Sequence, residues 1–433
     1  MRGSLQIRGS AQLIRIVPLE FVRCRSSNLG SSGMSRSLLL AWLIIASAPL
    51  RAAPPPATAP VATPVPAAAP AAAQAGNPIP QPPAVDARAY ILLDHDSGRV
   101  LAESHADDRM EPASLTKLMT SYAVFAALKE GRLKLADTVT ISEHAWKAEG
   151  SRTFVQVGTQ IPAEVLIKGM LVQSGNDATI ALAEKVGGTE SAFAQIMNTY
   201  AKRLGMKSTN FENSDGLPSP NHYTTARDMA TLSRAVVRDF PDYYQWYGLR
   251  EFTWNNITQH NRNGLLLRDP TVDGIKTGHT DSAGYCLITS AKRNGMRLTS
   301  VVLGSPSIKA REDASAALLN YGYTFYETGK VKRRGELILQ PPVYKGVAAS
   351  IAAGSPADLY VTVGRGQLAN LHTVATVKEP LIAPLAAGAA IGEFTVTAPG
   401  GDVVIRSPLV ALGSDPLGGL WTRMIDSIAL WFK

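Results

Sequence analysis

A serine and a lysine three residues apart could together carry out acyl transfer. Ser114 and Lys117 stand in the segment PASLTKLMT (residues 112–120), at the start of an apolar run with helical spacing that continues to Leu128. Side chains at positions i and i+3 share a helix face, so both can point into one pocket. A serine hydroxyl needs a neighbouring base to become a nucleophile, and a lysine can be that base when burial or a second cation lowers its pKa. The pair therefore predicts a nucleophile, Ser114, with its general base, Lys117.

Two further polar motifs could complete such a site. SGN (residues 174–176) follows an apolar segment (residues 165–172), and KTG (residues 276–278) occurs once in the chain. Each motif alone has a simpler explanation, a polar turn before a helix for the first and a lysine on an edge strand for the second. The S-x-x-K pattern is also weak alone, because about one copy is expected by chance in a chain of this length. The indication of a catalytic site comes from the combination of the three motifs and from their order in the chain.

S-x-x-K, S-x-N and K-T-G in this order are typical of class A β-lactamases and penicillin-binding proteins. With the flanks PASLTKLMT, QSGNDA and GIKTGHT, residues 86–433 resemble a low-molecular-weight penicillin-binding protein, and most closely a serine-type D-alanyl-D-alanine carboxypeptidase of the S11 peptidase type. The resemblance implies a hydrolase of peptidoglycan biosynthesis and cell shape. It would remove the terminal D-alanine from stem pentapeptides through an acyl-enzyme, and β-lactam antibiotics would inhibit it covalently.

The resemblance assigns catalytic roles to three residues. Ser114 would attack the peptide carbonyl, and Lys117, kept neutral in part by nearby Lys276, would accept its proton. Ser174 would relay a proton to the leaving amine. The oxyanion hole of the family uses two backbone N–H groups, which correspond to those of Ser114 and His279. The identity of the base is disputed in this superfamily.

The resemblance also assigns substrate-binding roles to several residues. Asn176 would hold the substrate amide, and Lys276 with Thr277 would bind the terminal carboxylate, which makes a free C-terminus part of the specificity. Arg311 matches a family arginine near the carboxylate end of the site, with an ordinary surface arginine as the alternative. For the His279 side chain the alternative is a packing role. The substrate-binding set is Asn176, Lys276, Thr277, Gly278, His279 and Arg311.

Three other functions remain open from the sequence. A class A-like β-lactamase would need a glutamate that activates water, and no Glu-x-x-Leu-Asn lies between Asp177 and Lys276. A D,D-endopeptidase that cuts cross-links is a second alternative. A non-catalytic peptidoglycan-binding module is a third, which the complete motif set disfavours. Asp215, in FENSDGLP (residues 211–218), stands where the family loop usually has His before Gly-Leu.

The net charge of +8 is concentrated at the N-terminus. Residues 1–53 hold seven Arg and one Glu, so the rest of the chain is nearly neutral, which argues against nucleic acid as a partner. Met34-Ser35-Arg36 and the apolar run after it predict a secretory signal peptide within this leader, with Met34 as the true start. A Pro/Ala-rich linker follows (residues 54–85). We therefore expect an exported protein on the periplasmic side of the bacterial cytoplasmic membrane.

The cysteines and histidines predict neither a disulfide nor a metal centre. Cys24 lies in the leader, so the mature chain keeps only Cys286, which we interpret as a buried core thiol. None of the seven His falls in a zinc-ligand spacing such as H-E-x-x-H. No cofactor and no metal are expected.

The fold class predicted for residues 86–330 is α+β. Strands at both ends with helices between them indicate one antiparallel sheet flanked by helices, which matches the β-lactamase/transpeptidase-like fold of the resemblance. A basic run at residues 330–335 is interpreted as a solvated linker. Short β-like runs with Gly and Pro turns then predict a small all-β domain over residues 335–412.

The C-terminal segment (residues 416–433) is predicted to be an amphipathic helix that binds a membrane surface. It is too short and too polar to span a bilayer. The alternatives are that it packs on the β-rich domain or pairs with a second copy. Its apolar residues recur every three to four positions and are Leu417, Leu420, Trp421, Met424, Ile425, Ile428, Trp431 and Phe432.

Overall fold

The structure, a computed structural model, describes residues 79–432 and the backbone of two short strands nearer the N-terminus, β1 (Leu5–Ile7) and β2 (Ile14–Ile16). β1 lies parallel to the strand His372–Val377 of the C-terminal sheet, and β2 is antiparallel to β1. The predicted signal peptide, Cys24 and the linker up to residue 78 lie outside the described residues. The last part of the predicted linker contacts the domain that carries the three motifs, because the Pro80 carbonyl accepts a hydrogen bond from the Tyr321 hydroxyl.

The domain that carries the three motifs (residues 79–325) has strands at both ends of its sequence and helices between them. Its strands are β3 (Ala89–Asp94), β4 (Val100–Ser104), β5 (Thr138–Thr140), β6 (Gln160–Pro162), β7 (Glu251–Trp254), β8 (Ile257–His260), β9 (Val272–Thr280), β10 (Gly284–Arg293) and β11 (Met296–Ser305). Its helices are α1 (Lys117–Lys129), α2 (Glu143–Trp146), α3 (Ala163–Val172), α4 (Asn176–Gly187), α5 (Glu190–Leu204), α6 (Ala226–Asp239), α7 (Pro241–Tyr244), α8 (Leu265–Arg268) and α9 (Ile308–Phe325). Single 3₁₀ turns lie at Ala113–Thr116 and Gln245–Gly248.

Five antiparallel strands form the central sheet in the order β4-β3-β11-β10-β9. Side chains alternate between its two faces, as the two-residue period of a strand requires. Ile91 and Val301 face a large core shared with α1 and α3–α6, whereas Leu92 and Val302 face a second core that α9 covers. The predicted α+β class, with helices on both faces of an antiparallel sheet, is confirmed.

Helix α1 lies at the centre of the larger core. Each residue from Lys117 to Leu128 is buried, so the helix is enclosed on all sides rather than along one stripe. Phe125 packs against the rings of Phe240 and Tyr243. This enclosure fixes the turn at the start of α1 relative to the sheet, and that turn carries Ser114.

The C-terminal domain is a small β-rich unit with its own core. Its strands are β12 (Tyr326–Lys332), β13 (Leu337–Leu339), β14 (Val343–Tyr344), β15 (Ala353–Gly354), β16 (Leu359–Gly364), β17 (His372–Val377), β18 (Leu381–Ile382), β19 (Ala390–Thr397) and β20 (Val403–Ala411). Phe394 and Leu409 are fully buried in this core. The interpretation of residues 330–335 as a solvated linker is wrong for the first three, because they complete β12, which pairs with β16. The charges of Lys330 and Lys332 are paired with Asp358 and Glu336.

A polar junction joins the two domains. The Asp94 carboxylate, fully buried at the end of β3, accepts a hydrogen bond from Thr328 Oγ1 at 2.7 Å. Ser97 Oγ lies 2.6 Å from Thr362 Oγ1, and Arg99 Nη1 donates to the Thr362 carbonyl at 2.6 Å. Strand β12 also continues directly from α9. The two domains are therefore joined by the chain itself and by these hydrogen bonds beside it.

The C-terminal helix α10 (Leu420–Trp431) presents its apolar residues to solvent. Leu420 is 80% exposed and Trp431 87% exposed, so the apolar stripe does not pack on the β-rich domain. None of the described helices is long and apolar enough to cross a membrane.

Candidate active site

The 3₁₀ turn before α1 places Ser114 beside Lys117. Ala113 has a left-handed backbone (φ 48°), which is unusual for a residue with a side chain and marks a constrained entry into the turn. Side chains three residues apart nearly eclipse one another in a 3₁₀ turn. Lys117 Nζ accordingly donates to Ser114 Oγ at 3.0 Å, a distance that also suits proton transfer from the serine to a neutral lysine.

The Lys117 amine is completely buried, and its second partner is the Asp215 carbonyl, which accepts a hydrogen bond at 2.6 Å. Burial lowers the pKa of Lys117 from its usual 10.5 to about 8, because desolvation disfavours the charged ammonium. The Asp215 carboxylate opposes this shift, and the positive charge of Arg262 adds to it. About one lysine in ten is therefore neutral at pH 7, against fewer than about one in a thousand for an ordinary lysine.

Ser174 and Lys276 form a second hydrogen-bonded pair near Lys117. Ser174 has a left-handed backbone (φ 67°) just before α4, and its side chain is buried. Lys276 Nζ donates to Ser174 Oγ at 2.8 Å and to the Thr277 carbonyl at 3.0 Å. Burial holds the pKa of Lys276 well below its usual value, and the charge of Lys117 lowers it further. The positive charge of Lys117 is thus one cause of the lowered pKa of Lys276, whereas the cation that lowers the pKa of Lys117 is Arg262.

Asn176 begins α4 and has one unsatisfied atom. Its Nδ2 donates to the Glu149 carbonyl at 2.6 Å and its backbone N–H to the Ser151 carbonyl at 2.7 Å. Its buried Oδ1 has no hydrogen-bond partner within residues 79–432. Because an unpaired buried oxygen is costly, this atom is suited to accept a bond from a substrate N–H.

Strand β9 is the edge strand of the sheet and packs against the turn that carries Ser114. A Cβ at Gly278 would lie 3.1 Å from the Pro112 carbonyl and 3.2 Å from the Leu115 backbone nitrogen, so glycine permits this close approach. Thr277 is buried beside Lys276, whereas the His279 side chain is exposed and lies over the Tyr285 ring with centroids 4.0 Å apart.

Arg311 is not a surface residue, so that alternative is wrong. It is 4% exposed, and its guanidinium donates to the carbonyls of Gly278 at 3.3 Å and Arg262 at 3.4 Å. Its Nε has no partner within the described residues. Burial lowers the pKa of Arg311 from its usual value, although it stays charged at any working pH. Arg311 therefore lies directly behind the KTG strand.

The loop that carries Asp215 is fixed from two sides. Thr120 Oγ1 donates to the Ser214 carbonyl at 2.6 Å, and the Glu190 carboxylate accepts from the Ser214 backbone and hydroxyl at 2.9 and 2.6 Å. The Asp215 side chain is 3% exposed, and burial raises its pKa. This loop delivers the carbonyl that holds Lys117.

Comparisons with known proteins agree with this geometry. The family profile of D-alanyl-D-alanine carboxypeptidase, peptidase S11, matches residues 77–307, and that of the penicillin-binding protein 5 C-terminal domain matches residues 326–416. D-alanyl-D-alanine carboxypeptidase DacA of Escherichia coli K12 is 42% identical over 82% of this chain and 90% of its own. Penicillin-binding protein 5 of Haemophilus influenzae is 41% identical, with a TM-score of 0.75 over 78% of this chain and 99% of its own.

The chain belongs to the D-alanyl-D-alanine carboxypeptidase family. A more distant structure, penicillin-binding protein D2 of Listeria monocytogenes in its ampicillin-bound form, is 29% identical with a TM-score of 0.52 over 56% of this chain and all of its own. The predicted activity, a serine-type D-alanyl-D-alanine carboxypeptidase of cell-wall metabolism, is confirmed by the family and by the coverage of its relatives. The β-lactamase, endopeptidase and non-catalytic alternatives are not favoured.

Two features of this carboxypeptidase site were missed from sequence. Arg262 contributes positive charge near Lys117, Lys276 and Arg311, yet no local motif marks it. The Asp215 carbonyl holds Lys117 through its backbone, a contact that residue type does not reveal. One sign in the sequence marks this loop as special, which is that Asp215 stands where the family loop usually has His.

Proposed function

We propose that Ser114 is the residue acylated during removal of the terminal D-alanine from peptidoglycan stem pentapeptides. The observation that carries the proposal is the 3.0 Å contact between Ser114 Oγ and the fully buried amine of Lys117. A lysine with a pKa of about 8 supplies a neutral base near physiological pH, which an ordinary lysine does not. The N–H groups at this turn would stabilise the oxyanion that forms when the serine attacks.

Proton transfer follows from the same contacts. Neutral Lys117 takes the proton of Ser114 as the Oγ bonds to the carbonyl carbon. The proton would then pass to the leaving D-alanine amine through Ser174, the relay that the family resemblance implies; the Ser174 hydroxyl accepts a hydrogen bond from Lys276. Loss of D-alanine leaves an ester on Ser114, and water hydrolyses this ester with Lys117 as base, which regenerates the enzyme.

Recognition of the terminal carboxylate rests on concentrated positive charge. Lys276 and Thr277 would contact the carboxylate directly, with Arg262 adding to the field and Arg311 holding the strand from behind. The unpaired Oδ1 of Asn176 would accept the substrate amide N–H, as argued above. A blocked C-terminus would lack the charge that this cluster attracts, so the site favours free C-termini.

The test is release of D-alanine from a pentapeptide ending in D-Ala-D-Ala, together with covalent labelling by penicillin. The ampicillin-bound structure of the Listeria relative motivates the penicillin probe. Wild type should release D-alanine and gain one penicillin adduct by intact mass, whereas Ser114→Ala should do neither. Ser191→Ala, which removes an exposed serine hydroxyl, is the control and should behave as wild type. An adduct of normal extent on Ser114→Ala would refute the assignment.

We also propose that α10 binds the outer face of the cytoplasmic membrane after export. The support is its solvent-facing apolar stripe, in which Trp421 is 75% and Phe432 84% exposed. Tryptophan favours the lipid–water boundary, and full burial of each large apolar side chain contributes about 1.5–3 kcal/mol. The eight exposed apolar residues of the stripe outweigh the cost of holding the helix at the surface, even when burial is partial.

Truncation after Ser414 tests this location. The shortened protein should leave the membrane fraction yet still release D-alanine from a soluble pentapeptide, because the motif residues all precede β12. Equal membrane binding of the truncated and full-length proteins would overturn the proposal. Self-association that depends on α10 in the absence of lipid would instead support pairing with a second copy.

A further inference from the structure

Helix α10 is attached to the β-rich domain through one short loop (residues 345–348), here called the docking loop. The Gly418 backbone N–H donates to the Lys345 carbonyl at 2.8 Å, and Gly346 forms a β-bridge with Leu417. A Cβ at Gly418 would lie 2.4 Å from the Gly346 carbonyl, so the two backbones meet only because this residue is glycine. These contacts fix where the helix starts but not how it is rotated about its axis.

The side chain of Asp426, on the helix itself, restricts this rotation. The Asp426 carboxylate, in the second turn of α10, accepts a hydrogen bond from the Lys345 backbone N–H. Lys345 has a left-handed backbone (φ 62°), an uncommon state for a residue with a side chain. The next N–H groups of the docking loop, those of Val347 and Ala348, donate to the buried Asp415 carboxylate at 3.0 Å each.

The helical wheel shows what this bond does to the apolar stripe. Successive residues of an α-helix are rotated by about 100°, so Met424 and Ile428, two residues on either side of Asp426, project about 160° away from it. Asp426 and Leu430 are the half-buried residues of α10, and the exposed large apolar residues lie on the other side. The helix is thus held to the domain by its polar face.

We propose that Asp426 is a positioning residue that sets the rotation of α10 before membrane contact, so that the apolar stripe points away from the domain. The proposal rests on the membrane-binding role of α10 put forward above. Without the Asp426 bond, the helix is joined to the domain by its backbone at residues 416–419, which include Gly418 and Gly419. It can then turn its stripe toward the domain or toward a second copy, and the catalytic domain loses its fixed orientation over the lipid.

The experiment compares full-length wild type, Asp426→Ala and Asp426→Asn on vesicles of phosphatidylethanolamine and phosphatidylglycerol. Asparagine keeps a side-chain oxygen that can accept the Lys345 N–H, so it should rescue what alanine loses. Asp402→Ala is the matched control, because it removes an exposed carboxylate from the same domain away from α10. Release of D-alanine from a soluble pentapeptide, expected to be unchanged in all four proteins, checks folding.

The orientation is read from energy transfer between a fluorescent penicillin on the enzyme and an acceptor on the lipid headgroups. We expect Asp426→Ala to need several-fold more lipid for half-saturation, because pre-orientation is lost, and to show a broader distance distribution once bound. Asp426→Asn and Asp402→Ala should behave as wild type. Wild-type values for Asp426→Ala would overturn the positioning role alone, whereas a wild-type protein that does not bind vesicles would overturn both this role and the membrane proposal.

Discussion

The lowered pKa of Lys117 predicts a specific pH dependence for acylation. The reaction requires the neutral amine, whose fraction is about one half at pH 8, a tenth at pH 7 and a hundredth at pH 6 for a pKa of about 8. The acylation rate should therefore rise about tenfold per pH unit below the midpoint and level off above it. Between pH 6 and pH 8 the total rise should be about fiftyfold.

The assay is stopped-flow acylation by a fluorescent penicillin at low ligand concentration, over the range from about pH 6 to pH 9. The observed midpoint belongs to the coupled Lys117–Lys276 pair rather than to one amine alone. His222, which contacts the Thr116 hydroxyl beside the nucleophile, has a pKa lowered to about 4 by burial, so it does not titrate in this range. His222 is thereby excluded as the source of the rise.

Asp215→Asn tests the cause of the midpoint. The Asp215 carboxylate favours the charged form of Lys117, and asparagine removes that charge while keeping the backbone carbonyl that holds the amine. The midpoint should move to lower pH in this variant. A rate that is flat between pH 6 and pH 8 in wild type, or a midpoint that moves upward in Asp215→Asn, would refute the reasoning.

Two substitutions test the KTG strand. Lys276→Ala should slow acylation roughly a hundredfold, because the hydrogen-bond donor to Ser174 Oγ and the proposed contact to the substrate carboxylate are lost, while Lys309→Ala, an exposed lysine, should not; equal rates would refute this role of Lys276. Gly278→Ala should slow acylation at least about tenfold, because its Cβ would displace the turn at the Pro112 carbonyl. Gly400→Ala is the control for Gly278→Ala, because a Cβ at Gly400 meets nothing within 4 Å. Equal acylation rates in the two variants would show that the turn tolerates the methyl group.

The sequence predicted the local structure of the site better than its long-range contacts. The helical spacing after Ser114 predicted α1, and the three-residue spacing of Ser114 and Lys117 predicted that their side chains meet, as they do at 3.0 Å. These features depend on neighbours three or four residues away. Cys286, predicted as a core thiol, is fully buried, and burial raises its pKa to about 11.

Other features depend on residues far apart in the chain. The sequence allowed Arg311 to be a surface residue, but its guanidinium is buried against the Gly278 carbonyl, 33 positions away. The basic run at residues 330–335 looked solvated because its acidic partners could not be assigned from spacing alone. Strand β12 was not predicted, because it follows α9 directly and no turn residues mark the change from helix to strand.

The polar junction between the domains has a consequence for which parts of the cell wall the enzyme can reach. Hydrogen bonds among Asp94, Thr328 and Thr362 join the five-stranded sheet to the β12–β16 pair at the start of the β-rich domain. We therefore expect the distance between Ser114 and α10 to stay fixed. With α10 on the lipid, that span would set one height at which D-alanine is removed. Stem peptides would then be trimmed in a thin layer parallel to the membrane.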